Sequence, residues 1–295
     1  ALKENQLYVV HLIDASVSVF DSATLSVRGS ISIGLQAGLA ESVTLDPNKA
    51  RAYVPHQRQH ITNMARSFDN TIFPTVSVLD TERLRPIRRE ALALDSIDTP
   101  VGMPIAVVLS EDGTLLYVAN AASDDISVID LTQGIGVGHI PVGHHPRDLA
   151  LSPDGDRLYT SNMVSDNVSV IDTDTLSVVN TFALAEDSRS TIIQQGERIF
   201  LTSRPDEIAR DNWMACASCH FDGGSAPTCS CEPSGSHSQS RGQPGFPPRC
   251  SSGERRHVGR QDQGVLHQGG PVRKGEDCGL PHLRHGRGLR PDGAG

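Results

Sequence analysis

The chain has 295 residues, with 26 Lys or Arg against 35 Asp or Glu, so its formal net charge is −9. This length is ample for a buried core. The acidic balance argues against nucleic-acid binding, which needs a basic surface to displace phosphate counterions. No apolar run approaches the roughly 18 residues of a membrane helix. The chain starts without Met or an apolar leader, so we expect a removed signal peptide or a fragment.

A 42-residue repeat dominates the first 185 residues. Each copy joins a Tyr-containing segment to a later Ser-Val-x-Asp segment, and both alternate apolar and polar residues with the period of a β-strand. The copies are Tyr117-Val-Ala-Asn120 with Ile126-Ser-Val-Ile-Asp130, Tyr159-Thr-Ser-Asn162 with Val168-Ser-Val-Ile-Asp172, and looser ones beginning at Tyr8 with Val17-Ser-Val-Phe-Asp21 and Tyr53 with Val76-Ser-Val-Leu-Asp80.

Two further segments complete the repeating unit. One begins at Pro104 and Pro146, with a looser copy at Glu41, and the other covers residues 135–142. Four short antiparallel strands in about 42 residues make one propeller blade, which must stack on neighbours to bury its faces. We predict an all-β partial β-propeller of four-stranded antiparallel blades in residues 1–188. Tyr, Val and Ile would pack between blades, while Asp and Asn cap turns.

The Tyr-Val-Ala-Asn and Ser-Val-Ile-Asp motifs resemble the YVTN family of β-propeller repeats over about residues 7–185. The resemblance implies seven blades. The sequence accounts for four, with a partial one at each end, so we expect blades to be missing from the N-terminal side. Because propellers host many functions, the repeat alone indicates a scaffold or docking surface.

Histidines lie at two irregular places in the repeat. An insertion in the second blade covers about residues 56–75, and its Asn and Thr content predicts a loop that contacts a partner or covers a pocket. His56 and His60 would share a metal ion if this segment were helical, which its composition disfavours. His144 and His145 are predicted to lie in a solvated turn.

After residue 185 the apolar spacing becomes helical. Ile192-Ile193 and Ile199-Phe200-Leu201 follow Ser190-Thr191, a possible cap. Gly196 lies within this helix; because glycine destabilises helices, we expect a close contact at that position.

Cys216-Ala-Ser-Cys219-His220 has the attachment pattern of c-type haem. Positions i, i+3 and i+4 of a helical turn face the same way. Cys216 and Cys219 would then form thioethers with the two vinyl groups, and His220 would bind the iron as axial ligand. Trp213 and Phe221 flank the motif and are expected to pack against the macrocycle. The predicted cofactor is covalently bound haem c.

Three other interpretations of the cysteines remain open. A zinc site would add Cys229 or Cys231 to the motif, although adjacent Cys and His ligands are awkward for tetrahedral coordination. A redox-active Cys pair would be expected in a βαβ setting, which the sequence does not predict. The third possibility is two buried, inert thiols.

Residues 190–224 resemble the start of the first haem domain of di-haem cytochrome c peroxidases, including the methylamine-utilisation branch. The resemblance implies an oxidoreductase with a second Cys-x-x-Cys-His, which this sequence lacks. We therefore predict a short helical cytochrome c-like segment at 189–224, capable of electron transfer but without a complete peroxidase domain. It also implies export to the periplasm or cell surface, and a redox partner protein or small electron donor.

Residues 225–295 differ in composition from the rest of the chain. They contain 14 Gly and 8 Pro but only eight large apolar residues, and their net charge is +4, against −13 for residues 1–224. Such a segment buries too little apolar area to offset its chain entropy. We predict a disordered tail, or a segment translated out of frame.

Two alternative functions stay open. The first is a non-enzymatic propeller that binds a protein or surface glycan and holds no haem. The second is a propeller lactonase, for which the sequence shows no cluster of metal ligands within the blades.

Overall fold

The computed structural model describes residues 1–60, 71–94, 97, 99–184, 188–204, 207 and 212–220. All of them lie in the first of two compact units, residues 1–234. Phe221 and the predicted tail at 225–295 lie outside the described residues, so both interpretations of the tail stay predictions.

Four antiparallel sheets follow one another along the chain. Blade 1 contains β1 (Leu2–Lys3), β2 (Gln6–Val10), β3 (Val17–Asp21) and β4 (Val27–Ile31). Blade 2 contains β5 (Ala37–Gly38), β6 (Thr44–Leu45), β7 (Arg51–Gln59), β8 (Ile72–Asp80), β9 (Arg85–Pro86) and β10 (Leu92–Ala93), its first and last strands each being split in two.

The next two sheets are regular four-stranded meanders. Blade 3 contains β11 (Pro104–Leu109), β12 (Leu115–Asn120), β13 (Asp125–Asp130) and β14 (Ile135–Pro141). Blade 4 contains β15 (Pro146–Leu151), β16 (Arg157–Asn162), β17 (Asn167–Asp172) and β18 (Ser177–Ala183). Outside the blades, one helix, α1, covers Thr191–Leu201. The predicted partial propeller of four-stranded antiparallel blades is confirmed.

Blades 3 and 4 repeat each other in register. Asn120 pairs with Asp125 across β12 and β13, and Asn162 pairs with Asn167 across β16 and β17. The last strand pair of each blade also shifts register at equivalent places, after Val128 and after Val170. The 42-residue sequence repeat thus corresponds to a repeated pattern of backbone hydrogen bonds between strands.

Apolar side chains fill the spaces between successive blades. Val17 and Val19 of blade 1 pack in one buried cluster with Val54 and Leu79 of blade 2. Tyr53 of blade 2 belongs to the next cluster, which it shares with blade 3, and Tyr117 of blade 3 to the one shared with blade 4. Burying both faces of a blade in this way supplies the main driving force for stacking.

The Asp that ends the third strand of a blade caps the turn that follows. Asp80 Oδ1 accepts the backbone N–H of Arg83 (3.0 Å), and Asp130 Oδ1 accepts the backbone N–H (2.7 Å) and the hydroxyl (2.6 Å) of Thr132. Since these bonds favour the carboxylate, the Arg83 N–H lowers the pKa of Asp80 and the Thr132 hydroxyl lowers that of Asp130.

The insertion in blade 2 is less of a loop than its composition predicts. Strands β7 and β8 are paired over nine residues each, from Arg51 opposite Asp80 to Gln59 opposite Ile72, so both ends of the predicted loop are strand. Residues 61–70 lie outside the described residues. Four residues along an extended strand span about 13 Å, so His56 and His60 are too far apart to share one metal ion.

Candidate functional site

The Cys216–His220 segment forms one tight turn. The backbone N–H groups of Cys219 and His220 both donate to the carbonyl oxygen of Cys216, at 3.2 and 2.9 Å. The geometry is a 3₁₀ turn at Cys216–Ser218 rather than the predicted turn of α-helix. Cys216 and His220 are exposed, Cys219 is half-buried, and both cysteines are in the reduced thiol form.

The two residues between the cysteines hold the turn against blades 2 and 3. Ala217 is buried in a cluster at the ends of β11 and β12 that includes Ala122. Ser218 is fully buried; its Oγ accepts the N–H of Ala215 (3.1 Å), and its carbonyl oxygen accepts a hydrogen bond from Gln59 Nε2 (3.5 Å). The turn is therefore held by its two central residues, Ala217 and Ser218, which leaves Cys216 and His220 open to solvent.

Trp213 packs within the protein. Only 7% of the surface of Trp213 is exposed to solvent. The chain just before it is tied to blade 3 because the Ser203 N–H donates to the Ala122 carbonyl (2.7 Å) and the Ser203 hydroxyl donates to the Asn212 carbonyl (2.5 Å). The structure thus covers Trp213 with the chain itself, where the sequence predicted contact with a macrocycle.

Helix α1 lies where the sequence predicts it. The Ser190 carbonyl accepts the N–H of Ile193 (2.9 Å), but the Ser190 hydroxyl makes no capping hydrogen bond. Among the described residues, the expected close contact at Gly196 is not found, because a Cβ added there would meet none of their atoms within 4 Å. Phe200 and Leu201, at the end of α1, pack against the cluster that holds Ala217.

A cavity of about 600 Å³, the α1 cavity, lies between α1 and the blades. Most of its lining is apolar, and Ala217 of the cysteine turn contributes to it. Its polar lining residues are Glu41, His145, Arg147 and Glu197. Arg147 Nη2 lies 2.6 Å from Glu41 Oε2, so one positive and one negative charge of this lining already neutralise each other.

The prediction that His144 and His145 lie in a solvated turn is wrong. His145 is 2% exposed and its backbone N–H donates to Asp124 Oδ1 (2.9 Å), while His144 Nδ1 lies 2.7 Å from Asp124 Oδ2. Burial lowers the pKa of His145 to about 4, so its imidazole is neutral at pH 7. The buried Asp124 carboxylate, which the motif analysis missed, holds both histidines.

The same polar contact recurs in all four blades. In each blade, the residue two positions beyond the one opposite the third-strand serine hydrogen-bonds that serine, and we call these contacts the repeat pairs. They are His11–Ser18 (2.8 Å), His56–Ser77 (2.9 Å), Asn120–Ser127 (2.7 Å) and Asn162–Ser169 (2.9 Å). The repetition gives the Asn of the sequence motif a structural role within its own blade.

Blade 3 adds charge to its repeat pair. Asn120 Nδ2 also donates to Asp125 Oδ1 (2.6 Å), and His139 Nδ1 lies 3.1 Å from Ser127 Oγ and 3.6 Å from Asp125 Oδ1. Burial raises the pKa of Asp125. Blade 4 has Asn167 and Thr181 at the positions of Asp125 and His139, so its equivalent network carries no charge.

Within the described ranges, no group of three or more His, Cys, Asp or Glu side chains is arranged to hold a metal ion. The described part of the chain also has no helix long and apolar enough to cross a membrane. Cys216, Cys219 and His220 stay predicted haem residues.

The stacked four-stranded meanders with apolar layers between them define a β-propeller scaffold. Residues 75–185, from β8 to the end of blade 4, match the family described as lactonase, 7-bladed β-propeller. Among solved structures, Kuenenia stuttgartiensis hydrazine synthase is similar at 20% identity and a TM-score of 0.49, over 57% of this chain and 54% of that chain. The chain thus spans about half the length of that protein. No curated protein matches the sequence.

Proposed function

We propose that this chain is an exported c-type haem protein that transfers electrons and uses the propeller as its scaffold. Cys216 and Cys219 are the covalent anchors, and His220 is the axial ligand. The proposal extends to a location in the periplasm or at the cell surface and to a redox partner protein or a small electron donor as partner.

One observation carries the proposal: both thiols and the imidazole follow one another on a single turn whose remaining residues are buried. Ala217 packs against blade 3 and the Ser218 carbonyl accepts a hydrogen bond from Gln59 of blade 2, while Cys216 is exposed and Cys219 is half-buried. Thioether formation requires reduced, reachable thiols, and the neighbouring imidazole supplies a nitrogen ligand for haem iron. The donor set of this chain therefore fits haem c.

The chain's own groups would hold the cofactor rather than perform bond-breaking chemistry. Bound haem supplies a one-electron redox couple. The hydrogen bond from the His220 N–H to the Cys216 carbonyl fixes the separation of the first anchor and the axial ligand along the turn. The Gln59 contact to Ser218 braces the same turn from blade 2.

The proposal is tested by producing the full chain together with a haem c maturation system. We expect a band that stains for haem after denaturing electrophoresis, because thioether bonds survive unfolding. Cys216→Ala/Cys219→Ala is expected to lose the stain, whereas His220→Ala should keep some attached haem with an altered visible spectrum. Haem retained by the double Cys variant would refute the anchor assignment.

Cys229→Ala/Cys231→Ala is the matched control, since it also removes two thiols from the same chain. These residues lie outside the described ranges, and a zinc site built on the motif needs one of them. We expect this variant to keep its haem. Loss of stoichiometric bound zinc in this variant, together with a haem-free parent chain, would favour the zinc interpretation instead.

A second candidate, lactone hydrolysis, rests on the family match over residues 75–185. It predicts acid release from simple lactones by the haem-free chain, which a pH-stat measures directly. The α1 cavity is the candidate location, with Glu41 and Arg147 in its lining. Turnover that is abolished by Glu41→Gln but unaffected by the double change Cys216→Ala/Cys219→Ala would favour this function over the haem proposal.

A further inference from the structure

A second cavity, of about 500 Å³, opens on blade 2, beside the linker that joins it to blade 1. We call it the blade 1–2 cleft. Residues 33–37, which link the two blades, form one side, and β7, β8 and the segment around Arg88 form the other. Its charged lining side chains are Arg58 and Arg88, and the described residues that line it include no Asp or Glu.

These two arginines lack the ion pair with a carboxylate that most other arginines of the described residues form. Arg28, Arg51 and Arg157, for example, each have a carboxylate oxygen within 4 Å. Arg58 and Arg88 have no such ion pair among the described residues; the Arg58 guanidinium instead lies over the ring of Phe73, 4.9 Å from its centroid. Stacking on an aromatic ring orients a guanidinium without neutralising its charge.

The depth of the cleft contains hydrogen-bonding groups. His56 lines it and is 2% exposed; its Nε2 bonds Ser77 Oγ, while its Nδ1 has no hydrogen-bond partner among the described residues. A buried polar atom without a partner is costly, and a ligand that supplies one would recover that cost. Apolar side chains, including Ile33, Val78 and Ile87, cover much of the rest.

We propose that the blade 1–2 cleft binds a small organic anion, with its carboxylate or phosphate group on Arg58 and Arg88 and its apolar body against Ile33, Val78 and Ile87. Guanidinium groups bind both kinds of oxyanion through paired hydrogen bonds. The cleft is large enough for a compact ligand and offers two unneutralised positive charges in a region, residues 1–224, whose net charge is −13. That setting favours a small anion over a polyanion.

The test is titration calorimetry of the full chain with phenyl phosphate, benzoate, inorganic phosphate and benzyl alcohol. We expect phenyl phosphate or benzoate to bind, and the stronger of the two identifies the head group. Benzyl alcohol, which keeps the apolar body but lacks the charge, should bind at least about tenfold more weakly. Equal binding of the neutral probe, or binding of inorganic phosphate alone, would overturn the proposal.

Arg58→Gln/Arg88→Gln is expected to weaken binding of the anion at least about tenfold without changing the melting temperature of the ligand-free protein. Arg85→Gln is the matched control: it removes one positive charge from β9, close in sequence to Arg88, but Arg85 does not line the cleft. Its affinity should stay at the parent value. An anion affinity that the double variant leaves unchanged, or that Arg85→Gln lowers equally, contradicts the assignment.

Discussion

The first two blades and the last two form the same hydrogen bond to the third-strand serine with different side chains. Blades 3 and 4 place Asn120 and Asn162 beside the serine of the third strand, and each Asn also bonds the residue that begins that strand. Blades 1 and 2 place His11 and His56 there. The imidazole keeps the serine contact but leaves Nδ1 of His56 buried and without a partner among the described residues. The difference teaches that one structural contact is made by a neutral amide in two blades and by an imidazole in the other two.

The largest expected effect comes from removing the Asn of blade 3. Asn120→Ala deprives the buried Asp125 carboxyl and Ser127 of their shared donor, and we expect a loss of about 3 kcal/mol in the free energy of unfolding. Asn162→Ala, the same change in the uncharged network of blade 4, should cost about 1 kcal/mol. Urea unfolding at pH 7 measures both. Equal losses of unfolding free energy in the two variants would show that the charged groups of blade 3 add nothing to the stability effect of this Asn.

The buried histidine of blade 2 predicts acid sensitivity. Burial lowers the pKa of His56 to about 4, below its ordinary value of 6.5, so the folded state binds fewer protons than the unfolded state between these pH values. Stability is complete above pH 6.5 and falls as the pH drops towards 4, by about 3 kcal/mol for this residue.

His56→Asn places the Asn of blades 3 and 4 at this position. It should remove the contribution of His56 to the pH dependence of the free energy of unfolding. His145 is also buried, with its pKa lowered to about 4, so its contribution to the pH dependence should remain in this variant. His11→Asn is the control, because His11 is exposed. The account of His56 is wrong if the pH profile of His56→Asn overlays that of the parent.

The smallest effect concerns a turn that the blades share. The fourth residue after the turn-capping Asp has a positive φ in each blade: +70° at Gly134, but +55° at Leu25, which is 66% exposed. Leu25→Gly should stabilise the fold by about 0.5 kcal/mol, since relief of strain slightly exceeds the entropy lost by glycine. The reverse change, Gly134→Leu, should destabilise by about 1 kcal/mol in the same urea assay, because leucine is strained at this positive φ. No atom of the described residues lies within 4 Å of an added Cβ, so a clash should not enlarge the loss.

Much of the fold could be predicted because the repeat encodes it locally. The alternation around Tyr117 and Val128 sets the strands, and Asp130 and Asp172 set the turns. The burial of His145 could not be predicted, because it depends on Asp124 of the preceding blade. The blade 1–2 cleft likewise depends on how residues 33–37 lie against blade 2 rather than on any local pattern.

The sequence predicts the residues of the candidate site but not how the turn that carries them docks on the blades. The spacing of Cys216, Cys219 and His220 is a local property, and the structure does place them on one turn. The docking of that turn depends on Ala217 fitting the ends of β11 and β12 and on Gln59 of blade 2 reaching Ser218, which no local pattern reveals. For the same reason Trp213 could not be recognised as a core residue from its position beside the motif.

The most direct test of the central claim is peptide mapping by mass spectrometry after maturation with haem c machinery and proteolysis. We predict one peptide that contains Cys216, Cys219 and His220 and carries the mass of one haem, and an unmodified peptide in the double change Cys216→Ala/Cys219→Ala. An unmodified Cys216–His220 peptide from a matured, folded parent chain would contradict the account.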